Sequence, residues 1–134
     1  CLGKDNMIDG LFSSQNYQLA KVMLEASHLK QEAIAGNMAN LNTPGYKRTD
    51  VNPSFQAQLA QAVNQGSSAR PTATISLETW TDPEAGPPRP DGNNVKLDRE
   101  LLELNRNALE YRYLTERIDG RYKQLLHAIT GKAS

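Results

Sequence analysis

The chain has 134 residues, 15 Lys and Arg against 15 Asp and Glu, a formal net charge of zero and 38% hydrophobic residues. That suffices for one modest domain or a pair of long helices with an insert, and the balanced charge exerts no general pull on nucleic acid or anionic lipid. The single cysteine, Cys1, excludes an internal disulfide, and no apolar run approaches the ~20 residues of a membrane span.

Residues 1–6 read as an upstream extension, because Met7 looks like a natural start. The beginning lacks both the basic-then-apolar layout of a secretory signal and a processing site that would make Cys1 a lipidated first residue. The unit 7–51 then opens with an amphipathic helix over about 14–40. Its seam is Leu19, Val22, Ala26, Leu29 and Ala33 at spacings of three and four, with Ser13 or Ser14 as N-cap. Pro44-Gly45 stops it, since proline disfavours helical geometry in the residue before it and glycine readily takes positive φ. Asn37, Asn40 and Asn42 crowd that end, and Thr43-Pro44-Gly45-Tyr46 suits a type II turn. The segment reads two ways: as a helix stop, or as a docking element whose asparagine amides bridge backbone groups of a neighbour.

Residues 52–95 hold six of the seven prolines and little periodicity, which predicts a short irregular insert. Phe55, Leu59 and Val63 share one face of a possible short helix, Thr74 to Trp80 could be a strand, and Asp91-Gly92 reads as a turn. Asn52-Pro53-Ser54 carries the proline that forbids N-glycosylation.

The last unit, 96–134, has the clearest pattern. Leu97, Leu101, Leu104, Ala108, Tyr111, Thr115, Ile118, Tyr122, Leu125 and Ile129 alternate at four and three, with charged residues between them. This predicts one helix over about 98–130, roughly 50 Å long at ~1.5 Å per residue, with Gly120 as a possible bend and Gly131 as a stop. The expected fold is mostly α, with two long terminal helices paired as an antiparallel coiled coil around a short irregular, β-containing insert. Helices of this length present more stripe than one partner covers, so neighbouring chains are expected to complete the burial and folding is expected to couple to assembly.

Chemistry finds little to work with. His28 and His127 lie off the seams and only Glu32 stands at ligand spacing from either. No phosphate-cradling glycine loop or nucleophile elbow occurs, so neither an enzyme nor a cofactor is expected. Arg106, Arg112, Arg117, Arg121 and Lys123 with Tyr111, Tyr113 and Tyr122 suggest a nucleic-acid surface at first sight. Glu103, Glu110, Glu116 and Asp119 interrupt it, which favours a salt-bridged helix face.

The run Ala39-Asn40-Leu41-Asn42-Thr43-Pro44-Gly45-Tyr46-Lys47 resembles the signature near the amino end of bacterial flagellar rod and hook axial proteins. The short insert, Arg48-Thr49-Asp50-Val51, and Asp91-Gly92-Asn93-Asn94-Val95 before Leu97-Asp98-Arg99-Glu100 are similar to proximal-rod members in particular. The likeness covers both terminal thirds. It implies an axial structural protein without catalysis, exported uncleaved by the flagellar type III apparatus and placed in the basal-body rod that crosses the periplasm. Implied partners are other rod subunits and the export-gate base, in homo- and hetero-oligomers, with no nucleic acid and no direct membrane insertion. Asn37, Asn40, Asn42 and Thr43 to Tyr46 would then serve intersubunit packing. A competing class of function is a soluble coiled-coil adaptor or export chaperone.

Overall fold

A computed structural model describes residues 15–64 and 75–130. The extension at 1–6, the candidate caps Ser13 and Ser14, and Gly131 lie outside the described residues, as do the side chains of Val63, Tyr122, Leu125 and Ile129. In chain order the elements are α1 (Gln15–Ala39), β1 (Thr49–Val51), α2 (Ser54–Asn64), β2 (Thr79–Thr81) and α3 (Leu97–Thr130).

The two long helices pack side by side and run antiparallel: Ser27 meets Asn107, Lys30 meets Glu103 and Asn37 meets Glu100. Helix α1 ends where expected. The segment just beyond it is held by a distant side chain: the Asn93 amide donates to the carbonyls of Asn40 (2.9 Å), Leu41 (3.1 Å) and Thr43 (2.9 Å). Helix α2 starts at Ser54 because Asn52 caps it, its side-chain oxygen accepting the Ser54 amide at 3.0 Å. The residues that rule out glycosylation thus start a helix.

Strands β1 and β2 form an antiparallel pair in the register Thr49↔Thr81, Asp50↔Trp80, Val51↔Thr79. The ladder continues on both sides through Asp82 N to Arg48 O (2.9 Å) and Asn52 N to Glu78 O (2.7 Å). The strand at Thr79–Thr81 overlaps the end of the expected Thr74–Trp80 segment. Its partner directly follows the Pro-Gly turn, so the insert is tied back onto the signature.

The core is small. Val22, Ala26, Ala33 and Ile34 of α1 are buried with Val51, Val95 and Leu114, while Leu19 and Leu29 are half-buried. On α3 the observed contact differs from the expected seam: Leu97 (42% exposed), Leu101 (43%), Tyr111 (46%) and Ala108 lie open on the chain, and Leu104, Thr115 and Ile118 are half-buried. The buried line is instead Glu100, Asn107 and Leu114, seven residues apart. Counting apolar residues cannot find a line whose first two members are polar. They enter the contact because each has buried hydrogen-bond partners waiting for it.

Candidate functional site

At the closed end of the helix pair the signature folds into a network of polar groups. Asn37, fully buried, spends its whole amide inside the chain: Nδ2 donates to Thr49 O (2.8 Å) and Glu100 Oε2 (3.3 Å). Its Oδ1 accepts from Thr49 N (2.9 Å), Thr49 Oγ1 (3.2 Å) and the Tyr46 hydroxyl (3.2 Å). It covers the outer edge of β1 as another strand would. Expected to serve intersubunit packing, Asn37 here uses every donor and acceptor of its amide within the chain. Asn40 is half-buried and turns inward too, donating to Gly36 O and accepting from Thr43 Oγ1. Asn42, Thr43, Pro44 and Gly45 are exposed, and Tyr46 is half-buried.

The turn itself has the geometry its sequence asks for. Gly45 has φ +75° and Tyr46 N donates to Thr43 O at 3.3 Å, a type II arrangement with Pro44 in the second position. Its back rests on the turn at Gly92 (φ +86°), through Gly45 N to Asp91 O at 2.9 Å, and Lys47 Nζ reaches Gly92 O at 2.6 Å. Arg89 also donates to Leu41 O.

Beneath the turn lies Arg48, 1% exposed, whose backbone amide is held by Asn94 Oδ1 at 2.6 Å. Its guanidinium donates from Nε to Glu100 (2.5 Å), and from Nη1 to Asp82 (2.8 Å) and Asp50 (2.9 Å). Nη2 is buried without a hydrogen-bond partner among the described residues. Arg99 adds a second cation to Asp82 (2.9 Å), and Lys30 bridges Asp50 (3.2 Å) to Glu103 (3.0 Å). One ion network thereby joins α1, β1, β2 and the start of α3. Burial alone would lower the Arg48 pKa, but the hydrogen bonds and charges of Asp50 and Glu100 outweigh it and raise it.

Burial alone would likewise raise Asp50, yet the Arg48 hydrogen bond, the Lys30 charge and the Val51 amide hold it below its ordinary value of 3.8. A depressed carboxylate contributes stability that is full above its unfolded pKa and is lost as pH falls through its folded one. Asp50→Asn should accordingly be less stable than the parent at neutral pH, with the gap closing as pH drops below 3.8. Urea titrations of both chains between pH 7 and pH 2 check this, and a gap independent of pH would contradict it.

No group of three His, Cys, Asp or Glu among the described residues is placed to hold a metal. His28 and Glu32 meet at 3.4 Å as an exposed pair one turn apart. The basic, aromatic face of α3 is laced with ion pairs, Arg112 to Glu116 (3.1 Å) and Lys123 to Asp119 (2.9 Å), while Arg117 stacks over Tyr113 at 5.7 Å.

Two features of the surface remain. One is a half-open cavity of 660 Å³ between the helix pair and the insert, walled by Met23, Phe55, Leu59 and Trp80. The other is the apolar stripe of α3, from Leu97 through Leu101 and Ala108 to Tyr111. Sequence reasoning overlooked Asp82, Asn107 and the cooperation of Arg48 with Glu100. The one available signal was that charged and amide residues recur at seven-residue spacing beside the apolar stripe.

The profile of the family described as flagella basal body rod protein matches residues 24–47, the inner half of α1 and the turn. The chain is similar over nearly its whole length to the flagellar basal body rod protein FlgB of Bacillus subtilis (strain 168), 32% identical over 131 residues that span 90% of this chain and 97% of that one. FlgB of Escherichia coli (strain K12) is 28% identical over 92% of this chain and 97% of its own. FlgB of Borrelia hermsii is 31% identical over 72% and 82%. A folded signature, an ion network built on it, and identity at this level across nine-tenths of the sequence place the chain in one group: it belongs to the FlgB family of structural proteins of the flagellar basal body rod.

Proposed function

We propose that the chain is a self-assembling building block of the proximal rod, carrying torque from motor to hook by rigid packing with copies of itself and with other rod subunits across the periplasm. The observation that supports this reading best is the outward stripe Leu97, Leu101, Ala108 and Tyr111. Apolar residues four, seven and three apart on one face of a 34-residue helix suit a helical partner, and this chain leaves them open. In the assembly the two terminal helices act as a coiled-coil layer and the stripe is covered by neighbours, the base of the export gate included. The exposed Asn42 to Gly45 tip of the turn adds a second contact. The ion network holds α1, the insert and α3 as one stiff unit, which load transmission needs.

Leu101→Glu tests the reading. At an exposed position it should change the stability of the isolated chain by within about 0.5 kcal/mol. In the assembled rod it buries an unpaired charge. Loss of swimming and of incorporation into purified basal bodies, with the melting curve unchanged, is the expected result. Normal motility would remove the stripe from the interface. A folded, dilute complex of fixed stoichiometry with a non-rod client would favour the adaptor reading instead.

A further inference from the structure

The stripe of α3 is apolar and open, while the line turned toward α1 is Glu100, Asn107 and Leu114. Hydrophobic burial by itself favours the reverse. Successive helical residues are about 100° apart, so position 101 lies about a quarter turn from 100, and 108 from 107. A rotation of α3 by that amount would bring Leu101, Leu104, Ala108 and Tyr111 against α1 and remove more apolar surface from water than the present line does.

What opposes the rotation is a pair of polar attachments. Glu100 receives Arg48 and Asn37. One heptad further on, Asn107 accepts from Ser27 Oγ (2.9 Å) and donates to Ser27 O (2.9 Å) and Gln31 Oε1 (3.2 Å), with Ser27 and Asn107 both buried. Turning α3 would take Glu100 from a buried guanidinium and leave the Asn107 and Ser27 groups unpaired, and an orphaned buried charge costs more than a leucine gains.

We infer that Glu100 and Asn107 select the face of α3, holding the stripe out of the chain's own core and so keeping it open to a partner. The polar line is a device against self-burial, in the way that a buried asparagine chooses among coiled-coil arrangements at a cost in stability. That an open stripe serves assembly rests on the rod reading above, but the choice of face is a property of the isolated chain.

The test places a single reporter thiol on the stripe, Ala108→Cys in a Cys1→Ser background, and follows its reaction with a maleimide. In the parent it should react as an exposed thiol. In the variant Arg48→Met, Glu100→Ala, Ser27→Ala, Asn107→Ala, both attachments are removed without giving the inward line large apolar side chains of its own. The thiol's reactivity should fall about ten-fold or more, the protection of a group reached only through local opening, with helicity kept. Unchanged reactivity in this folded variant overturns the inference. If circular dichroism shows that it does not fold, Glu100→Gln with Ser27→Ala and Asn107→Ala decides, since Arg48 keeps Asp50 and Asp82 as counter-ions. There too the Ala108→Cys reporter should be protected, and equal reactivity with the parent overturns the inference as well. Loss of motility without a change in labelling would speak to the rod reading alone.

Discussion

Replacing Arg48 by methionine should lower the free energy of unfolding by about 3–5 kcal/mol, the penalty for stranding buried charge. Glu100 is completely buried and Asp82 nearly so, and both use this guanidinium as counter-ion. Arg99 still reaches Asp82, so Glu100 carries most of the loss. Removing both partners, as Arg48→Met with Glu100→Leu, should recover a large part of it, because an apolar pair of similar volume needs no counter-charge. The four chains of this double-mutant cycle, compared by urea denaturation under circular dichroism, give the coupling directly. A single variant as stable as the parent would show that the network does not bind the insert to the helices. The prediction bears on function because a loosened network would let the helix pair and the insert move separately under load.

Gly92→Ala should destabilise the chain by about 2–3 kcal/mol, and Gly45→Ala by only about 1–2 kcal/mol. Both glycines have positive φ, +86° and +75°, which an L side chain adopts at a cost. They differ in what a methyl group would touch. At Gly45 nothing lies within 4 Å, whereas at Gly92 the new carbon would sit 3.2 Å from the Cα of Gly45. Backbone, unlike the end of a flexible side chain, cannot step aside cheaply, so the two turns would be pushed apart. The separation would also strain the contacts Gly45 N to Asp91 O and Lys47 Nζ to Gly92 O. Thermal melts of the two variants provide the comparison, and equal losses would mean that the turns do not press on each other.

The two long helices were legible because their causes are local. Spacings of three and four over α1 and α3, a Pro-Gly stop after Asn42, and helix-forming residues between them place both elements within a residue or two. The positive φ of Gly45 was legible for the same reason, since a Thr-Pro-Gly-Tyr sequence strongly favours that turn. The strand pair was only half visible. Thr79–Thr81 sits in a segment with β character, but Thr49–Val51 is paired with it by contacts across the insert that no local pattern records.

The site was harder to read for a reason that Asn37 and Asn107 show well. An amide on a helix face looks the same in sequence whether it faces water, a neighbour or a buried backbone strand. Which of these holds depends on where Thr49, Glu100 and Ser27 arrive in space. The sequence by itself determined the helical class, the positions of stop and turn, and the period of the apolar stripe on α3. Only the tertiary structure decided that this stripe faces outward and that Glu100 and Asn107 face in. Hydrophobicity ranks residues one at a time, but the cost of burying a polar group is set by whether its partners, distant in the chain, are present to receive it.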